Sequence, residues 1–397
     1  MNCRHDLLKL ECIVEGEALR DDQGRASDVV LLRLRELIHE RFKFDPKTDA
    51  VKDAVFLLAN RDKFNPVRDY LDALEWDGMP RIDTWLTTYS GAEDTPFVRA
   101  VGAILLTAMV RRVRRPGCKF DEIVVLEGEQ GTERSTALSV LAVRPEWFTD
   151  SVRLNMKDKE VIEQLQGKWI VEIAELGGMK KAEVEHVKAL ASRTHDRARL
   201  SYDKLTTEAP RQCVFVATTN ESEYLRDQTG NRRFWPVRCV KFDLKMLMRD
   251  RDQLLAEAAM REAAGANIRL PEELWAAAAE QQQERTVEEP WIAALVDNLK
   301  DEEGNLLEGK IRINDLWMVL GVQPGHQNQT HNHRLGVAMK ELGWSRDRLR
   351  FDGKRDYCYV RGDGSKEELR QIYVERFDDY LRISYDKPVS ASEKIKY

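Results

Sequence analysis

The sequence predicts an α/β protein whose core carries a mostly parallel sheet, preceded by a helical N-terminal region and followed by a C-terminal domain of winged-helix outline. Three observations lead there. Short apolar runs alternate with helical stretches between residues 121 and 240. Helical spacing dominates what comes before, and the last stretch runs from helices into two basic, β-like segments. At 397 residues the chain is too long for one ordinary core. Its composition divides it at 1–120, 121–240, a helical connection over 241–285, and 286–397.

In chain order, residues 29–42 place apolar groups at helical spacing, and a second helix is expected from Val51 to Asn60. The stretch Asn65 to Leu86 has a turn at Asp77-Gly78, a stop at Pro80, and Trp76 and Trp85 to bury large areas. A helix follows from Pro96 to Arg115 and is ended by Pro116-Gly117. The core then reads EIVVLEG, STALSVLA, KWIVEIAEL, a helix over Glu183 to Ser192, and RQCVFVATTN, which is the β and α alternation of a parallel sheet. Residues 245–285 are rich in strong helix formers. Beyond them come the helix WIAALVDNL, a strand at KIRIND, helices over Asp315 to Leu320 and His333 to Leu342, and the runs RLRFD and DYCYVRG.

With 33% charged and 42% hydrophobic residues, the chain has no apolar run near the roughly 20 residues of a spanning helix. No membrane segment or secretory signal is expected, and the expected compartment is the cytoplasm. The six cysteines are scattered without a paired spacing, and His326, His331 and His333 lack the spacing of a zinc finger. A net charge of −6 excludes wholesale coating of nucleic acid, so any DNA contact must be local.

The strand Ile123 to Glu127 runs into Gly128-Glu129-Gln130-Gly131-Thr132-Glu133-Arg134-Ser135-Thr136 and then a helix, the context of a P-loop, whose backbone N–H groups cradle phosphate. Against the pattern G-x-x-x-x-G-K-[ST], Gly128 holds the first position and Ser135 the Mg²⁺-binding one. Gly131, Thr132, Arg134 and Thr136 complete the candidate nucleotide-binding set. Glu133 and Arg134 replace the last glycine and the lysine. A carboxylate about 4 Å from a phosphate charge is repelled by about 1 kcal/mol in water and about 4 at an effective dielectric of 20. A planar guanidinium does not reproduce a compact ammonium between phosphates. Both departures oppose hydrolysis of ATP.

The rest of such a site is present. Lys168 to Glu175 is an apolar strand with acids, of which Glu175, then Glu172, suits water-mediated Mg²⁺ binding and polarising of the attacking water. Asn220 follows an apolar strand, where it can orient water, and Arg232-Arg233 suit a finger acting on a neighbouring subunit's nucleotide. Each feature has a plain structural explanation as an edge acid, a turn former or a solvated pair. Their joint order is what argues for a nucleotide site.

These phrases resemble the virulence-associated E family of phage and prophage proteins, regarded as P-loop ATPases related to superfamily 3 helicases. The likeness runs from Asn65 to Val237, through NPVRDYLDALEWDGMPRIDTWL, RRPGCKFDEIVVLEGEQGT, GKWIVEIAEL and DQTGNRRFWPV. It implies a replication-associated ATPase acting on phage or mobile-element DNA with ATP and Mg²⁺ as cofactors, working as a homo-oligomer of which a ring is one form. The family reads Gly-Thr-Gly-Lys-Ser where this chain reads Gly131-Thr132-Glu133-Arg134-Ser135. The resemblance also places a channel loop at Arg193 to Lys204, where Arg197, Arg199 and Lys204 would meet phosphate and Tyr202 would stack on a base of single-stranded DNA. In the winged-helix outline, Arg348 and Lys354 lead a basic ribbon suited to double-stranded DNA, but Asp347, Asp352 and Asp356 dilute its charge, so a protein-contacting wing is an equal alternative. Two functions are therefore carried forward: a helicase-like replication ATPase, and a catalytically inactive DNA- or protein-binding module on the same fold.

Overall fold

The computed structural model describes residues 1–152, 158–179, 181–198, 207–225, 231–287, 289–363, 365–377 and 380–387. Two compact units divide the chain, Met1–Val287 and Glu288–Tyr397. Among the described residues, no helix is long and apolar enough to cross a membrane.

The first unit opens with β1 (Asn2–Asp6), β2 (Glu11–Glu15), β3 (Gly24–Arg25), α1 (Asp28–Phe42), α2 (Thr48–Arg61) and β4 (Lys63–Phe64). Its four strands form a small sheet in the order β3-β2-β1-β4, and α1 and α2 bury Val30, Leu31, Leu34, Val51 and Val55 beside Val14 of β2. The sequence reading of a helical N-terminal region thus omits this small sheet. The strands are short and mix polar with apolar residues, so no period-two pattern marks them.

Three helices lead to the core: α3 (Pro66–Asp72), α4 (Trp85–Ser90) and α5 (Pro96–Arg114). Asn65 caps α3 by accepting from the N–H groups of Val67 and Arg68, both at 3.1 Å, and Thr95 caps α5 by accepting from Val98 at 3.1 Å. Both capped helices begin with proline, whose fixed φ and missing N–H suit the first turn.

The core elements are β5 (Ile123–Glu127), α6 (Arg134–Leu141), β6 (Phe148–Thr149), α7 (Asp158–Leu165), β7 (Ile170–Ile173), α8 (Lys181–Ser192), β8 (His195–Ala198), β9 (Thr207–Pro210), β10 (Val214–Thr219) and β11 (Phe234–Arg238). Five strands make one sheet in the order β11-β5-β10-β7-β6, every neighbouring pair parallel. Both faces are covered, as the uninterrupted apolar runs require. Val124, Leu126, Val214 and Val216 face the cluster containing α5, whereas Ile123, Val125, Phe215 and Ala217 face the one containing α8. β8 and β9 pair separately as an antiparallel ribbon.

Two helices complete the unit, α9 (Leu244–Ala263) and α10 (Trp275–Glu284). Where the sequence suggests a connection, α9 buries Leu247, Leu254, Leu255 and Ala258 in the core cluster. The completely buried Glu257 accepts from the N–H groups of Arg81 and Ile82 at 2.6 and 3.0 Å and from Arg261 at 2.6 Å. It thereby ties the tryptophan-bearing segment to α9.

The second unit contains α11 (Pro290–Asn298), β12 (Gly309–Arg312), α12 (Ile313–Val319), α13 (Gln329–Glu341), β13 (Ser345–Phe351), β14 (Lys354–Arg361), β15 (Tyr373–Arg376) and β16 (Leu381–Ser384). Its main sheet is antiparallel in the order β12-β14-β13, and β15 and β16 add a hairpin. α13 begins earlier than its apolar pattern suggests because Asn328 caps it, accepting from the N–H of His331 at 2.9 Å. The β13–β14 turn holds Asp352 at φ 48° and Gly353 at φ 83°, the positive angles a two-residue hairpin turn favours.

Two measurements test this packing. Glu257→Ala strands the backbone donors of Arg81 and Ile82, while Arg261 keeps Asp83 at 2.7 Å, and should cost about 2 kcal/mol in chemical denaturation, with Glu257→Gln costing less. In the second unit, burial and neighbouring Asp356 push the Asp315 carboxyl up to about 6 against the opposing pull of Arg312. A carboxyl raised in the folded state favours folding while protonated, so its contribution is present below the unfolded value of about 4 and is lost as pH rises through about 6. Asp315→Asn should flatten that pH dependence and stabilise the second unit at pH 7 by about 1 kcal/mol, read from urea midpoints at pH 5 and 7.

Candidate phosphate-binding loop and its surroundings

Ligands of open α/β sheets gather at the carboxyl ends of the strands, beside the strand where the connections change direction. Here that strand is β5, between β10 and β11. Register sets Glu127 beside Thr219 on one side and Arg238 on the other. The loop 128–133 therefore leaves the sheet next to Asn220.

The loop has strict backbone demands. A Cβ on Gly128 would lie 2.7 Å from the carbonyl oxygen of Cys239, so no larger residue fits there. Gly131 has φ 83° and Glu133 has φ 63°, both left-handed. Glycine adopts that conformation freely, whereas for a glutamate it costs about 1 kcal/mol. Part of this cost is offset locally, because the Glu133 carboxylate accepts from Thr136 Oγ1 at 2.9 Å at the start of α6.

Arg134, the first residue of α6, does not point to solvent. Its guanidinium is buried in the loop, donating to the carbonyl oxygens of Gly128 at 2.7 Å, Thr219 at 2.6 Å and Glu129 at 3.3 Å, and to Asn220 Oδ1. Burial lowers its pKa, with Cys239 and Glu172 opposing, but an arginine so far above neutrality stays charged. The groups that the loop turns toward the guanidinium are acceptors. A phosphate needs donors.

The loop hydroxyls are equally committed. Thr132 Oγ1 donates to the Glu129 carbonyl at 2.9 Å, Thr136 to Glu133, and Ser135 Oγ to Glu172 Oε1 at 2.7 Å. Glu172 is completely buried on β7 and also accepts from Thr218 Oγ1 at 2.7 Å, while its Oε2 has no hydrogen-bond partner among the described residues. Ser135, Thr218 and this free oxygen suit a small divalent cation. Arg134 lies inside the loop and Glu133 sets a carboxylate at its rim.

Of the two acids chosen from sequence, Glu172 stands against Ser135, whereas Glu175 lies past the end of β7, exposed and left-handed at φ 56°. Asn220 lies beside the loop as the strand-end position implies. Arg232 and Arg233 lie at the amino ends of the strands, away from this chain's own loop, and the expected role on a neighbouring subunit's nucleotide does not require them there. Arg233 Nε pairs with Asp121 at 3.1 Å, ahead of the amino end of β5 and so at the opposite edge of the sheet. In the basic segment, Arg197 lies on β8, and Arg199, Tyr202 and Lys204 lie outside the described residues.

Sequence reasoning missed a buried triad beside the loop. Glu127, at the end of β5, receives both Nε and Nη2 of Arg285, at 2.7 and 3.1 Å, and the Tyr224 hydroxyl at 2.7 Å. Burial and the adjacent carboxylate raise the Tyr224 pKa strongly, so the phenol stays protonated and donates. The one available signal was an acid closing an otherwise apolar strand. Its partner lies 158 residues away.

On the β13–β14 ribbon, Arg348 pairs in register with Tyr357 and Lys354 with Phe351, which places these two candidates on opposite faces. Arg334 of α13 is engaged by Glu289 and rests over the Trp291 ring at 4.2 Å.

If Arg134 is an internal part of the loop, Arg134→Ala should destabilise the ligand-free protein by about 2 kcal/mol, because the carbonyls and Asn220 lose their donor. A cation serving only a bound phosphate would leave ligand-free stability unchanged. Thermal or urea unfolding of the two proteins without nucleotide decides between them.

Comparison with known proteins places this geometry in context. The sequence pattern of the virulence-associated protein E-like domain matches residues 71–287. No curated protein matches the chain. Among solved structures, it is similar to the apo structure of the NrS-1 C-terminal region (305–718) at 12% identity, covering 91% of this chain and 96% of that one with a TM-score of 0.52. The A form apo structure of the NrS-1 C-terminal region also matches, at 12% identity over the same shares with a TM-score of 0.49. At such identity the likeness to the first of these is one of fold.

Proposed function

The chain belongs to the virulence-associated protein E-like family, and on that footing we propose that it is a phage replication-associated protein whose P-loop core works without turning over ATP. The observation that carries the second half is the seat of Arg134. Its guanidinium donates inward to the backbone carbonyls of Leu126, Gly128, Glu129 and Thr219 and to Asn220, which supports a loop closed on its own side chain. Glu133 adds a repulsion of about 1 to 4 kcal/mol for any phosphate brought to the rim. In this reading the core is a scaffold that presents nucleic-acid- or partner-binding surfaces, with the C-terminal unit acting as a winged-helix module. Its element order of helix, strand, two helices and a two-stranded ribbon supports that assignment.

One observation favours a second reading, in which ATP is still hydrolysed. The Ser135–Glu172–Thr218 cluster keeps a buried carboxylate oxygen free, as a magnesium-binding end would. Displacing Arg134 would then open the loop.

The deciding experiment measures Mg²⁺-dependent ATP hydrolysis and ATP binding by the purified chain, with and without single-stranded DNA. No turnover and no millimolar binding are expected of the natural sequence. Glu133→Gly combined with Arg134→Lys should raise nucleotide affinity by at least about tenfold, the equivalent of about 1.4 kcal/mol. Turnover by the unaltered protein that disappears in Glu172→Gln would sink the proposal and support the second reading.

A further inference from the structure

The β13–β14 ribbon carries more charge order than its composition suggests. Summed along the chain, its arginines and lysines are diluted by Asp347, Asp352 and Asp356. The antiparallel register gathers the arginines on one face and leaves Lys354 with the acids. Arg346, Arg348 and Arg350 alternate along β13 and pair with Tyr359, Tyr357 and Arg355 of β14, so these six side chains share one face. Asp347 and Asp356 belong to the other face, with Leu349, Phe351 and Cys358. There Asp347 is engaged by Lys366 at 2.9 Å, while Asp352, in the turn, is held by Arg312 and Lys387 at 2.9 and 2.8 Å.

Among the described residues, none of the four arginines on the first face forms a salt bridge, and all four are exposed. Arg350 and Arg355 stand directly opposite one another, an arrangement that destabilises a sheet unless an anion lies between or above them. Arg346 and Arg348 rest over the Tyr357 ring at 5.0 and 5.2 Å, which limits the rotamers they must give up on binding. Tyr359 continues this face into the core cluster with Leu335, Ala338 and Met339 of α13, so the arginines and α13 lie on the same side of the sheet. The exposed side chains of α13 include Asn332, His333 and Lys340.

We propose that this face of the ribbon is a site for duplex DNA, with the arginines on the phosphate backbone and α13 toward the major groove. Four arginines on one face, with no carboxylate among the ribbon residues that share it, match a polyanion. The major groove of B-form DNA admits a helix or a two-stranded ribbon, whereas the deep, narrow groove of an RNA duplex excludes side chains. The site stands independently of the Arg134-filled loop, since it lies in the other unit and needs no nucleotide.

The test is fluorescence anisotropy of the full chain with a short labelled DNA duplex over a range of salt concentrations and without ATP. Arg348→Gln with Arg350→Gln should weaken binding by about tenfold and lower the slope of log K against log salt by about 1.8, at about 0.9 for each phosphate no longer neutralised. Lys300→Gln with Arg382→Gln removes the same charge from exposed positions of the unit outside the ribbon and should leave both values nearly unchanged. Equal effects of the two pairs would reduce the result to net charge and overturn the site. Absence of duplex binding at low salt, or tighter binding of single-stranded DNA or duplex RNA with the same arginine dependence, would also overturn it.

Discussion

The parallel register of β5 with β10, and of β10 with β7, is the constraint on which the candidate site depends. Val216 pairs with both Val124 and Glu172, so the three strands are locked at one level. Because side chains alternate with period two, a slip of one residue on β7 would turn Glu172 away from Ser135 and bury it among apolar side chains. The same register brings Thr219 level with Glu127 and thereby sets Asn220 beside the loop. Arg134 meets acceptors from two strand ends only because those ends coincide.

Several buried acids of the first unit are matched, whereas the fully buried Arg112 donates, among the described residues, only to the carbonyl oxygens of Cys213 and Cys118. Glu257 has two backbone donors and Arg261, Glu262 has Arg111 and Arg114, Glu127 has Arg285 and Tyr224, and Asp196 has Arg211. Such pairs are weak evidence for net stability, but each fixes the relative position of distant elements. Glu172 departs from the pattern, since its two partners are neutral hydroxyls and one oxygen has none among the described residues. An unmatched acid among matched ones marks a place shaped by something other than packing. Arg134 is the reverse case, a cation satisfied by neutral oxygens with no carboxylate among its hydrogen-bond partners. The two oppositely charged groups flank one loop without pairing.

In the second unit the governing effect is sheet pleat. A ribbon of mixed charge becomes two surfaces, one carrying Leu349, Phe351 and Cys358 with Asp347, Lys354 and Asp356, and one bearing arginines over tyrosine. Nothing in the total charge of −6 hints at this, because net charge describes the molecule at long range and a binding face acts within about a Debye length, about 8 to 10 Å.

The apolar runs, proline starts and helix formers were legible in sequence, and they suffice for the core strands, most helices and the order of the loop, acidic strand and Asn-tipped strand. Local chemistry decides those features, since each rests on residues within one or two turns or strand lengths. The small N-terminal sheet was not legible, because its strands are stabilised by pairing rather than by pattern. Tertiary structure alone decided that Glu172 rather than Glu175 meets Ser135, that Arg233 sits at the far edge of the sheet, and that Arg134 closes the loop it was expected to serve. The last of these joins residues 85 apart. The sequence determined that a cation stands at position 134, and only the fold determined that its partners are the protein's own carbonyl oxygens, because hydrogen-bond geometry across strands depends on register and not on residue type.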